Sequence, residues 1–148
     1  MKYTALETGR LIRSGEISVT EAVSSALDAA ERENGKLNAF ITICREKAMA
    51  RAAEVQKQIV DGTLTSPLAG VPVAVKDNIC TEGIRTTCAS KMLENFVPFY
   101  SASAVEKFER AGAVIIGKLN MDEFAMGSLS ETSYFGPDLS DQETMRRQ

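Results

Sequence analysis

Over residues 103–116 the chain passes through a helical pattern, a glycine and an apolar β-branched run. That order constrains the fold more than any other feature. Ser103-Ala104-Val105-Glu106 has the spacing of a capping box, in which the hydroxyl and the carboxylate each take up a free amide at a helix start. The helix it would lead passes Phe108 and Arg110 and stops at Gly112, where a left-handed backbone carries little steric cost. Ala113-Val114-Ile115-Ile116 then reads as a buried strand. Upstream, Val71-Pro72-Val73-Ala74-Val75 reads as a strand buried on both faces, its proline marking a strand start or a sheet edge. Helix, glycine and apolar strand in succession predict an α/β fold with parallel pairing. A short helix is expected over 121–125.

The preceding sixty residues read as helices. Thr4-Ala5-Leu6-Glu7 and Ser18-Val19-Thr20-Glu21 repeat the capping-box spacing, and Gly15 should stop the first helix. Ala22, Val23, Ala26, Leu27 and Ala30 fall on one face of the second, which Asn34-Gly35 should end. An extended run is expected within 37–43, then a third helix over 48–60 closed by Gly62. The chain thus divides into a helical region at 1–65, the start of an α/β domain at 66–136, and a polar tail at 137–148. The default for that tail is terminal disorder.

With 148 residues, 44% hydrophobic and 25% charged, the composition suits one soluble domain. Histidine is absent. That excludes Ser-His-Asp and Cys-His catalysis and two-histidine zinc motifs, and leaves proton transfer to Lys, Tyr, Cys, Asp or Glu. A net charge of −3 gives no field for nucleic acid, so contact with RNA would go through a partner. No apolar run is long enough for a membrane span and no signal core follows the start. Cys44, Cys80 and Cys88 have no Cys-x-x-Cys spacing, which predicts reduced thiols, no metal site and a cytoplasmic location.

Lys76 is the most informative residue. It ends the apolar run Val73-Ala74-Val75, and open α/β sites lie beyond the carboxyl ends of strands. A partly buried lysine with a lowered pKa can act as a base. From position alone the simpler reading is a solvated lysine with Asp77 as its counter-charge. No phosphate-cradling glycine motif is present, and Gly83 marks a turn. Asp122-Glu123 read as solvated, helix-starting carboxylates. Ser128, Ser130 and Ser133 read as loop hydroxyls, and Phe96, Phe99 and Tyr100 as packing residues.

Leu68-Ala69-Gly70-Val71-Pro72-Val73-Ala74-Val75-Lys76-Asp77-Asn78-Ile79 resembles the start of the amidase signature family. Thr86-Thr87-Cys88-Ala89-Ser90-Lys91, the run AGAVIIGKLNMDEFAMGS at 111–128, and Glu131-Thr132-Ser133-Tyr134-Phe135-Gly136 extend the resemblance across about residues 3–136. It implies a mixed sheet flanked by helices, of which this chain holds the N-terminal portion. It also implies amide hydrolysis by a serine nucleophile, a second serine and a lysine, a triad that needs no histidine. Lys76 stands at the lysine's position and inherits the role of proton acceptor. Met126 and Gly127 stand where the family chain lines the substrate pocket.

Asn120-Met121-Asp122-Glu123-Phe124-Ala125-Met126-Gly127-Ser128 resembles the branch of the family that works as the A subunit of tRNA-dependent amidotransferases. That branch implies glutamine as ammonia donor, B and C partner subunits, tRNA held through the B subunit, and ATP with Mg used by the complete assembly, with no cofactor bound by this chain. Leu129 replaces a small polar residue usual in this block. The match breaks at Pro137-Asp138, before the glycine- and serine-rich segment that carries both serines in the family. The chain alone is therefore expected to be an inactive N-terminal part, with marginal stability from uncovered sheet edges. A non-catalytic docking stub, or part of another amidase-signature hydrolase, are the other readings.

Overall fold

The structure, a computed structural model, describes residues 3–128 and 130–139. Thr4 Oγ1 accepts from Glu7 N at 3.3 Å while Thr4 N donates to Glu7 Oε2 at 2.7 Å, so the first capping box forms as its spacing predicts. It opens α1 (Ala5–Arg13), which closes on Ser14 ahead of Gly15 at φ +75°. Ser18 and Glu21 make the same reciprocal pair, 2.8 and 3.1 Å, at the head of α2 (Val19–Leu37). Val19, Ala22, Val23, Ala26 and Leu27 of α2 are buried, and Ala30 is half-buried.

α2 does not end at Asn34-Gly35. It runs on to Leu37, and the left-handed residue that stops it is Asn38 at φ +51°. The Asn34 side chain instead brackets Phe40, accepting from its N–H at 2.7 Å and donating to its carbonyl at 3.0 Å. That pair starts β1 (Phe40–Ile43), and α3 (Arg45–Val60) follows, closed before Gly62 at φ +70°.

The sheet adds β2 (Pro72–Lys76) and β3 (Val114–Leu119) in the order β1-β3-β2. Val114 N donates to Val71 O and Asp77 N to Leu119 O, so β2 and β3 advance in the same direction. β1 runs antiparallel to β3, pairing Phe40 with Leu119 and Thr42 with Lys118. The sheet is therefore mixed. β3, in the middle, is buried from Val114 to Lys118. β2, however, is not covered on both faces. It is an edge strand beginning at Pro72, and within it Val75 alone is fully buried.

Two compact units interleave along the chain. Among the described residues, the first is built from the stretch ending at Ala29, from Cys44–Ala74 and from Ser103–Ile116. The second is built from Ala30–Ile43, Val75–Ala102 and the stretch from Gly117 on.

In the first unit, Leu11, Ile12, Val19, Val23, Leu27, Val55, Val105 and Val114 form an apolar core. α4 (Ser103–Arg110) begins one residue earlier than its capping motif implies. Ser103 is already helical, its predicted capping box does not form, and Glu106 faces Arg110 at 3.8 Å. Gly112 ends α4 at φ +78°, where a Cβ would stand 2.3 Å from Leu64 Cδ2.

In the second unit, Gly83 makes the expected turn, with Thr81 bridged to Ile84. The helix expected over 121–125 is a single tight turn, Glu123–Ala125, in which Phe124 and Ala125 adopt positive φ. Phe96, Phe99 and Tyr100 do not pack into a core. They stand 38, 85 and 50% exposed, because Thr86 N, Gly83 N and Ala102 N bind the carbonyls of Phe96, Pro98 and Cys80 and leave the rings outside. Leu139 N donates to Leu37 O and Asp138 N to Ser130 O, so residues 137–139 are fastened rather than disordered. Residues 140–148 of the tail, like Leu129, lie outside the described residues. No helix among those described is long and apolar enough to cross a membrane.

Candidate active-site segment

β2 delivers Lys76 to the carboxyl end of the sheet edge, and the chain turns at once, with Ile79 N donating to Lys76 O at 3.0 Å. The Lys76 side chain is exposed, and among the described residues its ammonium has no hydrogen-bond or ion-pair partner. Asp77 is not its counter-charge. The pleat sends consecutive side chains to opposite sides, and Asp77 is wholly buried with Oδ1 3.9 Å from Lys118 Nζ. Thr87 donates to Asp77 Oδ2 through both its N–H and its hydroxyl, and Ala89 N reaches the same oxygen at 3.4 Å.

Lys118 is the residue that the sequence reading missed. Its side chain is wholly buried, and Nζ donates to Ile79 O at 2.6 Å and to Thr86 Oγ1 at 2.7 Å. A buried ammonium needs such partners to offset lost hydration. The signal was its register. In a strand, Val114, Ile116 and Lys118 share one face, so a lysine inside that apolar run must find a counter-ion. Thr86 and Thr87, both buried, supply the rest of the polar shell.

Cys88 and Ala89 hold left-handed backbone, φ +51° and +54°. The turn that results joins the strand end to the loop that follows β3. Cys88 N binds Asp77 O on one side, while Phe124 N binds Cys88 O and Tyr134 N binds Ala89 O on the other. The link from Lys76 to Met126 and Gly127 therefore runs through residues 87–89. Burial, and next the Asp77 carboxylate, push the Cys88 thiol pKa up, which keeps it protonated and unreactive at neutral pH. Cys44, Cys80 and Cys88 are free thiols, and among the described residues no group of three potential metal ligands gathers.

Asp122 is not solvated either. It is buried and accepts from Ser130 N at 2.9 Å, Thr132 N at 3.1 Å and Thr132 Oγ1 at 2.9 Å. The Thr132 and Ser130 backbone N–H groups hold its carboxyl below the usual carboxylate range. Gly127 lies directly over this carboxylate, where a Cβ would stand 2.3 Å from Asp122 Cγ, and Met126 beside it is 81% exposed. Ser133 donates to Asn120 Oδ1 at 2.7 Å, and Asn120 Nδ2 donates to Asn38 O and Gly136 O. These serines organise the loop. Glu123 remains exposed.

A lysine presented at a strand end, a buried Lys-Asp-Thr cluster behind it and a glycine loop fastened to the same turn make up the chain's equipment. Residues 21–139 match the Amidase family, and the chain belongs to that family. It is 54% identical over 136 residues to the A subunit of the glutamyl-tRNA(Gln) amidotransferase of Lachnospira eligens, covering 92% of this chain and 28% of that one. With the same subunit of Agathobacter rectalis the identity is 55%, covering 92% and 27%. Among solved structures, the glutamyl-tRNA(Gln) amidotransferase A subunit of Thermotoga maritima is 33% identical with a TM-score of 0.71, covering 93% of this chain and 27% of that chain. The peptide amidase of Stenotrophomonas maltophilia is 29% identical with a TM-score of 0.84, covering 93% and 29%. The chain thus spans less than a third of the length of the relatives it matches.

Proposed function

We propose that this chain is the N-terminal part of the ammonia-supplying A subunit of a cytoplasmic, glutamine-dependent tRNA amidotransferase. The observation that supports this reading best is the exposed Lys76 at the end of β2, next in sequence to Asp77 of the buried Asp77–Lys118 pair, in a chain more than half identical to such subunits. In the complete protein Lys76 accepts the proton of a serine hydroxyl as that serine attacks the carboxamide carbon of glutamine. Met126 and Gly127 form part of the wall against which the amide rests. The ammonia released passes to the partner subunits, B and C, which present misacylated Glu-tRNA(Gln) or Asp-tRNA(Asn).

ATP and Mg are assigned to the complete assembly rather than to this chain. Its described residues gather no cluster of metal ligands, and its sequence has no glycine-rich phosphate cradle. Activation of the acceptor carboxylate, the ligase step, is assigned to the partner subunits on the strength of the resemblance.

A lysine without its serines forms no acyl intermediate, so the chain alone hydrolyses no glutamine. The test joins it in frame to the remaining portion of the Lachnospira eligens subunit. The chimaera is expected to release ammonia from glutamine, and Lys76→Ala to reduce the rate by about a hundredfold or more. Turnover by the unjoined chain, or an active Lys76→Ala chimaera, would overturn the reading.

A further inference from the structure

Asp77 and Lys118 make a poor pair by the measure of mutual attraction. Both side chains are wholly buried, yet Lys118 Nζ stands 3.9 Å from Asp77 Oδ1, and that oxygen accepts no hydrogen bond among the described residues. Two buried charges lose their hydration, and an apolar pair of similar volume commonly serves stability as well. What an apolar pair does not supply is direction.

The directions converge on one turn. Lys118 reaches from β3 to the chain that leaves β2, where Nζ donates to Ile79 O at 2.6 Å. Ile79 N in turn donates to Lys76 O at 3.0 Å and closes the turn. Asp77 Oδ2 takes both the N–H and the hydroxyl of Thr87, and the next residue, Cys88, donates its N–H to Asp77 O at 3.2 Å. The main chain that follows Lys76 is thus held from β3 through Lys118 and from the 87–89 turn through Asp77. β2 is an edge strand with a neighbour on one side, so the ladder alone fixes its end weakly. We infer that Asp77 and Lys118 are a positioning pair for Lys76: they lock the 76–79 turn and so fix where the strand presents its exposed ammonium. What Lys76 is positioned for rests on the proposed function; the hold on its turn does not.

The test uses the double variant Asp77→Leu with Lys118→Met, which removes both charges and leaves neither unpaired in the interior. In the 148-residue chain, amide exchange at Ile79 and Cys88 should quicken at least about tenfold, while Gly83 and Thr132 of the same unit keep their parent rates. Thr87→Val takes one donor from Asp77 and keeps the shape of the side chain. It should quicken the same two amides less, and it carries the test if the double variant fails to fold. Exchange at Ile79 and Cys88 that rises no more than at Gly83 and Thr132 would overturn the inference, because a merely structural pair loosens the whole unit evenly.

Activity of the chimaera described above gives a second readout. The double variant should lower kcat about tenfold with KM unchanged, and in a Lys76→Ala background it should lower kcat no further. An equal fall in both backgrounds would also overturn the inference. A parent chimaera that releases no ammonia refutes the proposed function, and the exchange rates then decide the positioning pair by themselves.

Discussion

The two units are built on opposite principles. Among the described residues, the first buries apolar side chains almost exclusively, with Thr8 as its buried polar exception. The second buries Asp77, Thr81, Thr86, Thr87, Ser90, Lys118, Asn120 and Asp122, and leaves Met92, Val97 and Phe99 in the open. An apolar core tolerates exchange of one hydrophobic side chain for another of similar volume. A buried polar network fixes each member by direction as well as by shape, and it fails when one partner is removed. The polar unit is also the one that carries Lys76, Met126 and Gly127, the residues to which the proposed function gives its chemistry.

The largest test of the contrast is Lys118→Met. It leaves the Asp77 carboxylate buried without its cation and should cost about 3 kcal/mol in a urea melt. Replacing both members, Lys118→Met with Asp77→Leu, should recover part of that loss, and a loss no greater than about 1 kcal/mol for the single change would show the polar cluster to be incidental.

Acid should act next, and locally. The folded pKa of Asp122 lies below its unfolded value of 3.8, so its contribution is complete above that value and fades as the pH falls through the lowered folded pKa. Amide exchange at Ser130 and Thr132 should accelerate over that range. In Asp122→Asn it should be fast already at neutral pH, with no further step in acid from this group. Unchanged exchange in the variant would remove Asp122 from its anchoring role.

The smallest effect belongs to the apolar unit. Thr4→Ala removes one cap and should cost about 1 kcal/mol, with no change at Ser130 or Thr132. Coupled loss at both places would mean that the two units do not respond separately.

What was legible in the sequence is what short-range chemistry dictates. Thr4 and Glu7, Ser18 and Glu21, and the turns at Gly15, Gly62, Gly83 and Gly112 are decided within four residues, and each formed as its spacing predicts. Ser103 failed because Ala102, tied to Cys80 O from a distant stretch, shifted the helix start by one residue. At Lys76 it was a motif, and not the local pattern, that singled the residue out. The burial of Asp77 and Asp122 was not legible, because their partners lie at other places in the chain, and the register of Lys118 marked its burial without naming its partner. The aromatic run at 96–100 misled for the converse reason. Apolar composition says that a residue would gain by burial, and does not say that this part of the chain can provide it.

The interleaving of the two units also bears on how the molecule is made. The first unit lacks its last stretch until Ser103–Ile116 has been translated, and β3 must leave the ribosome before β1 or β2 has its central neighbour. At roughly 5–20 residues per second, the helices ahead of Ala29 wait on the order of ten seconds for the segment that completes their core. During that interval Val19, Val23 and Leu27 remain open to any chaperone that reads apolar helix faces. A synonymous codon change that slows translation between the two stretches would lengthen that exposure without altering one atom of the finished protein.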